Sequence, residues 1–205
     1  MNRLLRIAHI NVNGLVSKRQ HIEYYLHQYC LDVLLISETH FSPKSFIKIN
    51  GYSFYHTDHP TANKACGGTG ILISSTIPHY PIQSFQSPLL MATSLKVNIN
   101  GCEVSISAVY IPPGTKRLPT IDQNHIKTMF EILGPNFIAG GDYNSKHTSW
   151  NSRNSTKKGK ELYQVITQIG ACTVSPTSLT HWPTDLTKRP DVIDFFVCKG
   201  SNANY

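Results

Sequence analysis

Cysteine is scarce in this sequence, and the way it is used excludes two common kinds of stabilised domain. The five cysteines are odd in number, lie far apart and form no C-x-x-C pair. This usage argues against a disulfide framework and against a zinc site, and it favours a reducing, intracellular compartment. The residues are Cys30, Cys66, Cys102, Cys172 and Cys198.

Long apolar runs are absent as well. Residues 1–10 are interrupted by Arg3, Arg6 and His9, so we do not expect a signal peptide there. No apolar segment approaches the length that crosses a bilayer, and we therefore expect no membrane partner. Repeats, low-complexity tracts and long linkers are also missing. We expect residues 1–205 to form one domain, since a single layered domain can reach this length.

Positive charge is in excess. The chain has 19 Lys and Arg against 12 Asp and Glu, which gives a formal net charge of +7 and a pI of about 9.2. Its 40% hydrophobic and 15% charged residues are ordinary for a globular protein. A basic balance favours an anionic partner, most simply nucleic acid, although many basic proteins bind none.

Polar side chains follow two apolar runs that are predicted to be buried strands. Residues 137–139 end at two glycines, and Asp142 and Asn144 come next, at a spacing that directs both side chains to one side of an extended chain. Residues 32–37 form the second run, and Glu38 follows it. A carboxylate with an amide suits a hard cation and a phosphate oxygen. The alternative is a turn in which these side chains bond only nearby backbone.

Three further strand ends carry candidate residues. Asn11 and Asn13 follow residues 4–10, although Asn-Gly by itself usually marks a turn. Tyr110 precedes two prolines that end a strand, and it is either a core-edge tyrosine or a phenol that donates to phosphate. Asp194 lies inside the apolar run 191–198, where a carboxylate is costly to bury without a hydrogen-bond partner.

The remaining pattern alternates strands with helices. Ser17 is predicted to cap a first helix whose buried stripe is Ile22, Leu26, Tyr29 and Cys30. Residues 122–133 and a segment with the stripe Leu162, Val165, Ile166 and Ile169 predict two more helices. Strands are predicted over residues 52–57 and 71–74, where the glycines at 67–70 indicate a tight start, and a hairpin over residues 95–111.

Basic residues cluster between the candidate site and the last helix and again near residue 190. Such runs usually mark a solvated face, but in a chain with this net charge they also predict contacts with DNA phosphates. The candidate nucleic-acid-binding residues are Arg153, Lys157, Lys158, Lys160, Lys188 and Arg189.

Taken in order, five motifs resemble those of the exonuclease-endonuclease-phosphatase superfamily. They are Asn11-Val12-Asn13-Gly14, Ser37-Glu38-Thr39, Tyr110-Ile111-Pro112, Gly141-Asp142-Tyr143-Asn144 and Val192-Ile193-Asp194. The runs at 141–150 and 189–194 are more closely similar to the apurinic-type endonuclease domain of jockey-like non-LTR retrotransposons. Each motif alone is weak, whereas five in order across the chain form a specific pattern.

The resemblance implies an α/β fold, a four-layered sandwich of two packed mixed β-sheets flanked by helices. It implies that Glu38 binds a catalytic Mg²⁺, with Mn²⁺ as a substitute, beside Asn11 and Asn13. Tyr110 and Asn144 would hold the scissile phosphate, Asp142 would orient or deprotonate water, and Asn11 would complete the catalytic set. Abasic-site repair members usually carry an aspartate where Asn13 stands, so a second metal contact there is open.

The resemblance also implies a function and an expected defect. The expected partner is nuclear DNA, with no small-molecule cofactor and with a covalent continuation into a reverse transcriptase. In the superfamily Asp194 would orient a histidine from a terminal Ser-Asp-His strand, which these residues lack. We therefore expect a C-terminally incomplete domain with Asp194 left unpartnered, a sheet edge left unpaired and hydrolysis impaired. Two alternatives stay open, an abasic-site repair nuclease or related phosphoesterase and a non-catalytic nucleic-acid-binding fragment.

Overall fold

A computed structural model describes residues 4–42, 44–60, 65–114, 121–185 and 187–200, which contain two β-sheets. The smaller sheet has four strands in the order β1-β2-β4-β3. β1 and β2 are parallel and the other pairs are antiparallel, so the sheet is mixed. Its strands are β1 (Ile7–Asn11), β2 (Val33–Ser37), β3 (Tyr52–Thr57) and β4 (Thr69–Ser74).

The larger sheet has seven strands. They follow the order β10-β11-β9-β8-β7-β5, and β6 also pairs with β7. Only β8 and β9 are parallel among the pairs of this sheet in the described residues. The strands are β5 (His79–Pro81), β6 (Phe85–Ser87), β7 (Leu90–Ile99), β8 (Cys102–Tyr110), β9 (Phe137–Asp142), β10 (Cys172–Val174) and β11 (Asp194–Lys199).

Strand β2 shows why the sheets stack face to face. Its alternate residues Val33 and Leu35 belong to a cluster with Ile106 and Ala108 of the larger sheet. Leu34 and Ile36 point the other way, into a cluster that includes Ile22. A strand covered on both faces needs apolar residues at every position, which is why this run is continuous in the sequence.

Three α-helices complete the layers. α1 (Arg19–Gln28) covers the smaller sheet through Ile22 and Leu26. α2 (Gln123–Leu133) and α3 (Lys157–Gln168) pack on the outer face of the larger sheet. The arrangement of helix, sheet, sheet and helices confirms the predicted four-layered α/β sandwich. No helix among the described residues is long and apolar enough to cross a membrane.

The start and end of α1 differ from the prediction. Ser17 lies in a short 3-10 turn and its hydroxyl donates to the Gly14 carbonyl, so it does not cap the helix. Only Ile22 and Leu26 are buried on α1, while Tyr29 is 57% exposed. The helix ends at Gln28 because Cys30 has a φ of 48°, which turns the chain away before the predicted stripe is complete.

Several predicted strand boundaries shift: β1 begins at Ile7 and not at residue 4, β4 begins at Thr69, and β9 continues through both glycines to Asp142. The predicted hairpin is confirmed, and Asn100 and Gly101 supply its positive φ angles of 52° and 84°. Its first strand is longer than predicted and begins at Leu90. The last strand begins at Asp194 and not at residue 191, because Asp191 pairs instead with His181 in an isolated bridge.

Candidate active site

The candidate catalytic residues meet at one edge of the two sheets. Strand register sets Asn11 beside Ser37, the residue before Glu38, and sets Tyr110 beside Asp142. Asp142 in turn lies opposite Asp194 on the antiparallel neighbour. Because β1 also packs against β9 across the sandwich, side chains more than a hundred residues apart in sequence become neighbours.

The side-chain amide of Asn11 joins the two sheets at this edge. Its Nδ2 donates to Glu38 Oε1 at 2.8 Å and to Asp142 Oδ2 at 3.0 Å. Its Oδ1 accepts from the backbone N–H of Asn13 at 3.1 Å. One amide therefore spaces two carboxylates and fixes their separation, while the Asn13 backbone holds the amide in place.

A glycine pair positions Glu38. The Gly68 carbonyl accepts from the backbone N–H of Glu38 at 2.9 Å, and the Gly67 carbonyl accepts from that of His40 at 2.9 Å. A Cβ on Gly68 would lie 2.4 Å from Thr39 Oγ1, so no larger residue fits this approach. The glycines that the sequence suggested as a tight start to β4 thus also build the Glu38 turn.

Backbone strain is concentrated at the same edge. Four non-glycine residues here have positive φ: Asn13 at 43°, Glu38 at 58°, His40 at 52° and Asn144 at 44°. Such conformations cost of order 1–3 kcal/mol each and persist only where surrounding contacts hold them. Their grouping around the carboxylates indicates that the site is shaped for function.

Asp142 is buried and lies among groups that make its ionisation costly. Burial raises its pKa most, and Asp194 and then Glu38 raise it further, while the hydrogen bonds from the Asn144 backbone and from Asn11 lower it. The Asn144 N–H donates to Asp142 Oδ1 at 2.9 Å. The balance raises the pKa of Asp142 toward neutrality, which suits a group that takes up a proton.

Tyr110 is a buried hydrogen-bond donor at this edge. Burial raises its pKa most, and the neighbouring carboxylates of Glu38 and Asp142 raise it further. Its hydroxyl is also hydrogen-bonded to Glu38. The phenol therefore stays protonated and can donate a hydrogen bond to an anionic ligand.

His9, which was not among the predicted site residues, lies beside them. His9 Nε2 is 2.9 Å from Ser37 Oγ, and its Nδ1 is 3.7 Å from Asp194 Oδ1. Burial lowers the pKa of His9 to about 3, so the ring is neutral. Its spacing of two from Asn11 puts both side chains on the same face of β1, and that spacing is the signal that could have identified it.

Asp194 also contacts Thr180. The Thr180 hydroxyl is hydrogen-bonded to the Asp194 carboxylate and accepts from the backbone N–H groups of Ile193 and Asp194. Burial raises the pKa of Asp194, the Thr180 bond lowers it, and Glu38 raises it further. Asp194 therefore has a partner among the described residues, a hydroxyl from the loop before β11, while the missing terminal histidine stays a prediction.

The donor set fits a hard divalent cation, although the described residues contain no group of three or more His, Cys, Asp or Glu arranged to hold a metal. Mg²⁺ keeps several waters and needs only one or two carboxylates. Glu38 and Asn11 offer oxygens of this kind, and Asp142 lies next to them. Burial and then the neighbouring carboxylates raise the pKa of Asp142, and a bound cation would relieve the repulsion among these carboxylates.

The four basic residues between 153 and 160 do not share one surface. The Arg153 guanidinium is 3.4 Å from Asp191, and its Nε donates to the Pro190 carbonyl. Lys157 is highly exposed and is 4.0 Å from Glu161. Lys158 is turned inward, and its Nζ donates to the Pro112 carbonyl at 3.2 Å. Lys160 is exposed.

A cleft of about 600 Å³ lies beside Asn144. We call it the basic cleft, because Lys146, Arg153, Lys188 and Arg189 line it together with Trp182. The Trp182 side chain is 64% exposed. A groove with several cations and a free aromatic face has the composition that single- and double-stranded nucleic acids bind.

A buried carboxylate holds the wall of the basic cleft together. Asp191 is 2.9 Å from Lys146 Nζ and accepts from the backbone N–H of Arg153 at 3.0 Å. Its own backbone pairs with Thr180 and His181. Burial by itself raises the pKa of Asp191, but the hydrogen bonds from Lys146, Arg153 and Val192 outweigh it and hold the pKa below its usual value.

Comparisons with known sequences agree with this architecture. Residues 104–205 match the family model described as endonuclease-reverse transcriptase. The chain is 31% identical over 196 residues to the RNA-directed DNA polymerase from mobile element jockey of Drosophila melanogaster. It is 28% identical over 197 residues to the probable RNA-directed DNA polymerase from transposon BS of the same species. Each match covers 96% of this chain and 21% of the relative, so the chain spans about a fifth of these relatives.

Solved structures share the fold. The endonuclease domain of TRAS1, a telomere-specific non-LTR retrotransposon, superposes with a TM-score of 0.73 at 16% identity, covering 96% of this chain and 85% of that one. The AP endonuclease LMAP from Leishmania major gives a TM-score of 0.74 at 16% identity, covering 95% and 79%. The chain therefore belongs to the exonuclease-endonuclease-phosphatase superfamily, among the endonuclease domains of jockey-like non-LTR retrotransposons.

Proposed function

We propose that this domain is a Mg²⁺-dependent endonuclease that nicks target DNA before reverse transcription. The observation that carries the proposal is the Asn11 amide, which bridges Glu38 and Asp142 at the edge where the two sheets meet. This places a proton acceptor, hydrogen-bond donors and hard oxygen ligands around one point. Hydrolysis of a phosphodiester needs these three kinds of group.

The residues divide the chemistry between them. Asp142, with its raised pKa, orients the attacking water and takes its proton. Tyr110 and Asn144 donate to the phosphate oxygens, and each such donor is typically worth roughly 2.7–4 kcal/mol in the transition state. Glu38 and Asn11 would hold Mg²⁺, or Mn²⁺ in its place, which supplies charge neutralisation at the phosphate when bound.

The biological setting follows from the relatives. The chain spans about a fifth of the RNA-directed DNA polymerases that it resembles. We propose that it is one part of a longer polyprotein that continues into a reverse transcriptase. The nick would provide the primer end for that activity, and the substrate would be nuclear DNA.

Nicking of supercoiled plasmid tests the proposal. We expect conversion to the open circle that depends on added Mg²⁺ and stops on chelation. A duplex containing one abasic site, assayed in parallel, tests the repair alternative. A strong preference for the abasic duplex over intact plasmid would overturn the retrotransposon assignment. The weak activity expected of residues 1–205 stays a prediction that the same assay measures.

The non-catalytic alternative has an observation in its favour. Glu38 is not among the residues that line the basic cleft, so the cleft could bind DNA without any turnover. Replacing Lys188 or Arg189 by Gln should then reduce the slope of log K against log salt by about one for each phosphate that the variant no longer binds. DNA binding with that salt dependence, together with no Mg²⁺-dependent nicking, would favour the binding module over the enzyme.

A further inference from the structure

Lys158 has an environment unlike that of the neighbouring basic residues. It is the second residue of α3, and the Thr156 side chain caps this helix by accepting from the backbone N–H of Gly159 at 3.2 Å. Lys157, one position earlier, is highly exposed on the surface and lies near Glu161. Lys158 instead is half-buried and donates to the Pro112 carbonyl at 3.2 Å.

The direction of this side chain is set by close backbone packing. A Cβ on Gly159 would lie 1.8 Å from the Lys146 carbonyl oxygen, so the first turn of α3 rests directly on the segment that follows Asn144. The Thr156 N–H also donates to that carbonyl at 2.9 Å. The helix start cannot shift or rotate without breaking these contacts, and Lys158 is held over the ends of β8 and β9.

The ammonium group therefore lies at the candidate catalytic edge. Pro112, which it contacts, is two residues after Tyr110, and the Ile111 N–H donates to the Asp142 carbonyl at 3.0 Å. The Asp142 carboxylate is close enough to raise the pKa of Lys158 electrostatically, although burial lowers it more, to about 8. The Lys158 ammonium is thus a positively charged group near Tyr110 and Asp142 of the candidate active site.

This cation has no carboxylate within ion-pair distance among the described residues, whereas Lys146 and Arg153 contact Asp191. Its bond to Pro112 uses one of three N–H donors. A positive charge that is taken out of water without an anionic partner is costly, unless a ligand supplies the anion. The remaining donors of Lys158 lie near the ends of β8 and β9, since Pro112 follows Tyr110 by two residues and the charge of Asp142 acts on the ammonium.

We propose that Lys158 binds a non-bridging oxygen of the scissile phosphate, as a third donor beside Tyr110 and Asn144. This proposal rests on the proposed nuclease function. It separates Lys158 from the other basic residues, which would contact flanking phosphates or hold the loops. The ammonium would neutralise charge that develops on the phosphate during attack, and its bond to Pro112 keeps it in position before substrate arrives.

Lys158→Gln is the variant that isolates the charge, because glutamine keeps an N–H donor for the Pro112 carbonyl. We expect the Mg²⁺-dependent nicking rate to fall by roughly 10²-fold. Lys158→Arg keeps the charge and should retain the rate to within about tenfold. Lys127→Gln is the control, since it makes the same charge change on exposed α2. Equal nicking rates for the Lys158→Gln and Lys127→Gln proteins would overturn the proposal.

A binding measurement separates failure of this proposal from failure of the nuclease assignment. In the absence of metal, the slope of log K against log salt for a mixed-sequence duplex should fall by about one in Lys158→Gln. If the wild type does not nick, the nuclease assignment fails and this slope alone decides the role of Lys158. An unchanged slope overturns phosphate contact by Lys158.

If the Lys158→Gln protein does not fold, the rate at which an acetylating reagent modifies Lys158 in the wild-type protein, with and without duplex DNA, tests the proposal instead. Bound duplex should then lower the reactivity of Lys158 and leave that of Lys127 unchanged. Equal reactivity of Lys158 with and without DNA would overturn the proposal.

Discussion

Two buried aspartates, Asp142 and Asp191, are equally hidden from solvent but have opposite electrostatic surroundings. Asp142 is 3% exposed and Asp191 is 0% exposed. Asp142 has an amide, a backbone N–H and two other carboxylates around it, and its pKa is raised. Asp191 has Lys146, the Arg153 guanidinium and two backbone N–H groups, and its pKa is lowered.

The difference shows how partners assign a role to a buried carboxylate. A carboxylate with a raised pKa can exchange a proton near neutral pH, which is useful to a reaction and costly to the fold. A carboxylate whose charge is satisfied stabilises the structure around it and does no chemistry. We therefore assign Asp142 to catalysis and Asp191 to the framework of the basic cleft.

The largest expected effect is the loss of nicking in Asp142→Asn. Asparagine has nearly the same shape, but it keeps only one of the two acceptor oxygens and cannot take up a proton, so we expect the rate to fall on the order of 10³-fold or more. Glu38→Gln should lose nicking as well, because it removes the cation ligand. Both proteins should keep the wild-type circular dichroism spectrum. Wild-type rates in either variant at saturating Mg²⁺ would contradict the assigned roles.

Asp191→Asn is expected to lower the stability of the fold, whereas Asp142→Asn is expected to lower the nicking rate. Removing this charge leaves Lys146 and Arg153 without their shared partner, and we expect a loss of about 3 kcal/mol in the free energy of unfolding. Urea denaturation monitored by fluorescence measures it. The Asp142→Asn protein is the matched control and should lose less stability. A stable Asp191→Asn protein with no nicking would reverse the assignment of the two aspartates.

Gly159→Ala tests whether the contact between α3 and the segment after Asn144 supports the site. The added Cβ would meet the Lys146 carbonyl at 1.8 Å, so the helix start must shift, at a cost of about 1–3 kcal/mol. Gly114→Ala is the control, since nothing lies within 4 Å of its Cβ. We expect both a lower melting temperature and slower nicking in Gly159→Ala only. Unchanged nicking would show that the site tolerates movement of α3.

The smallest expected effect is a difference in how stability depends on pH in metal-free buffer. The folded-state pKa of Asp142 is raised from 3.8 to about 7, so its contribution is fully present below pH ~4 and is lost as the pH rises toward 7. The folded-state pKa of Asp191 is lowered, so its contribution is present above pH ~4 and is lost in more acidic buffer.

Asp142→Asn should therefore flatten the decline in stability between about pH 4 and pH 7. Asp191→Asn should instead reduce the loss of stability that the wild type shows below about pH 4. Unfolding free energies measured from about pH 3 to pH 8 on both variants provide the comparison. Identical profiles for the two variants would remove the electrostatic distinction between the aspartates.

Much of the fold could be predicted because local pattern carries it. The continuous apolar run of β2, the hairpin before Tyr110 and the amphipathic stripes of α2 and α3 each need only neighbouring residues to be recognised. The sequence also determined that polar residues follow strands. Asn11 and Glu38 follow neighbouring strands of one sheet and could be expected together, whereas Asp142 joins them because the second sheet packs against the first.

Only the tertiary structure decided which of the remaining residues belong with them. The approach of His9 to Asp194, the Thr180 hydroxyl on the same carboxylate and the inward turn of Lys158 all depend on contacts between distant segments. The separate role of Asp191 depends on Lys146 and Arg153, which reach it from another loop. The sequence determines which residues are ionisable. Their pKa values and partners depend on burial and distance, which are set only when the two sheets and their loops pack together.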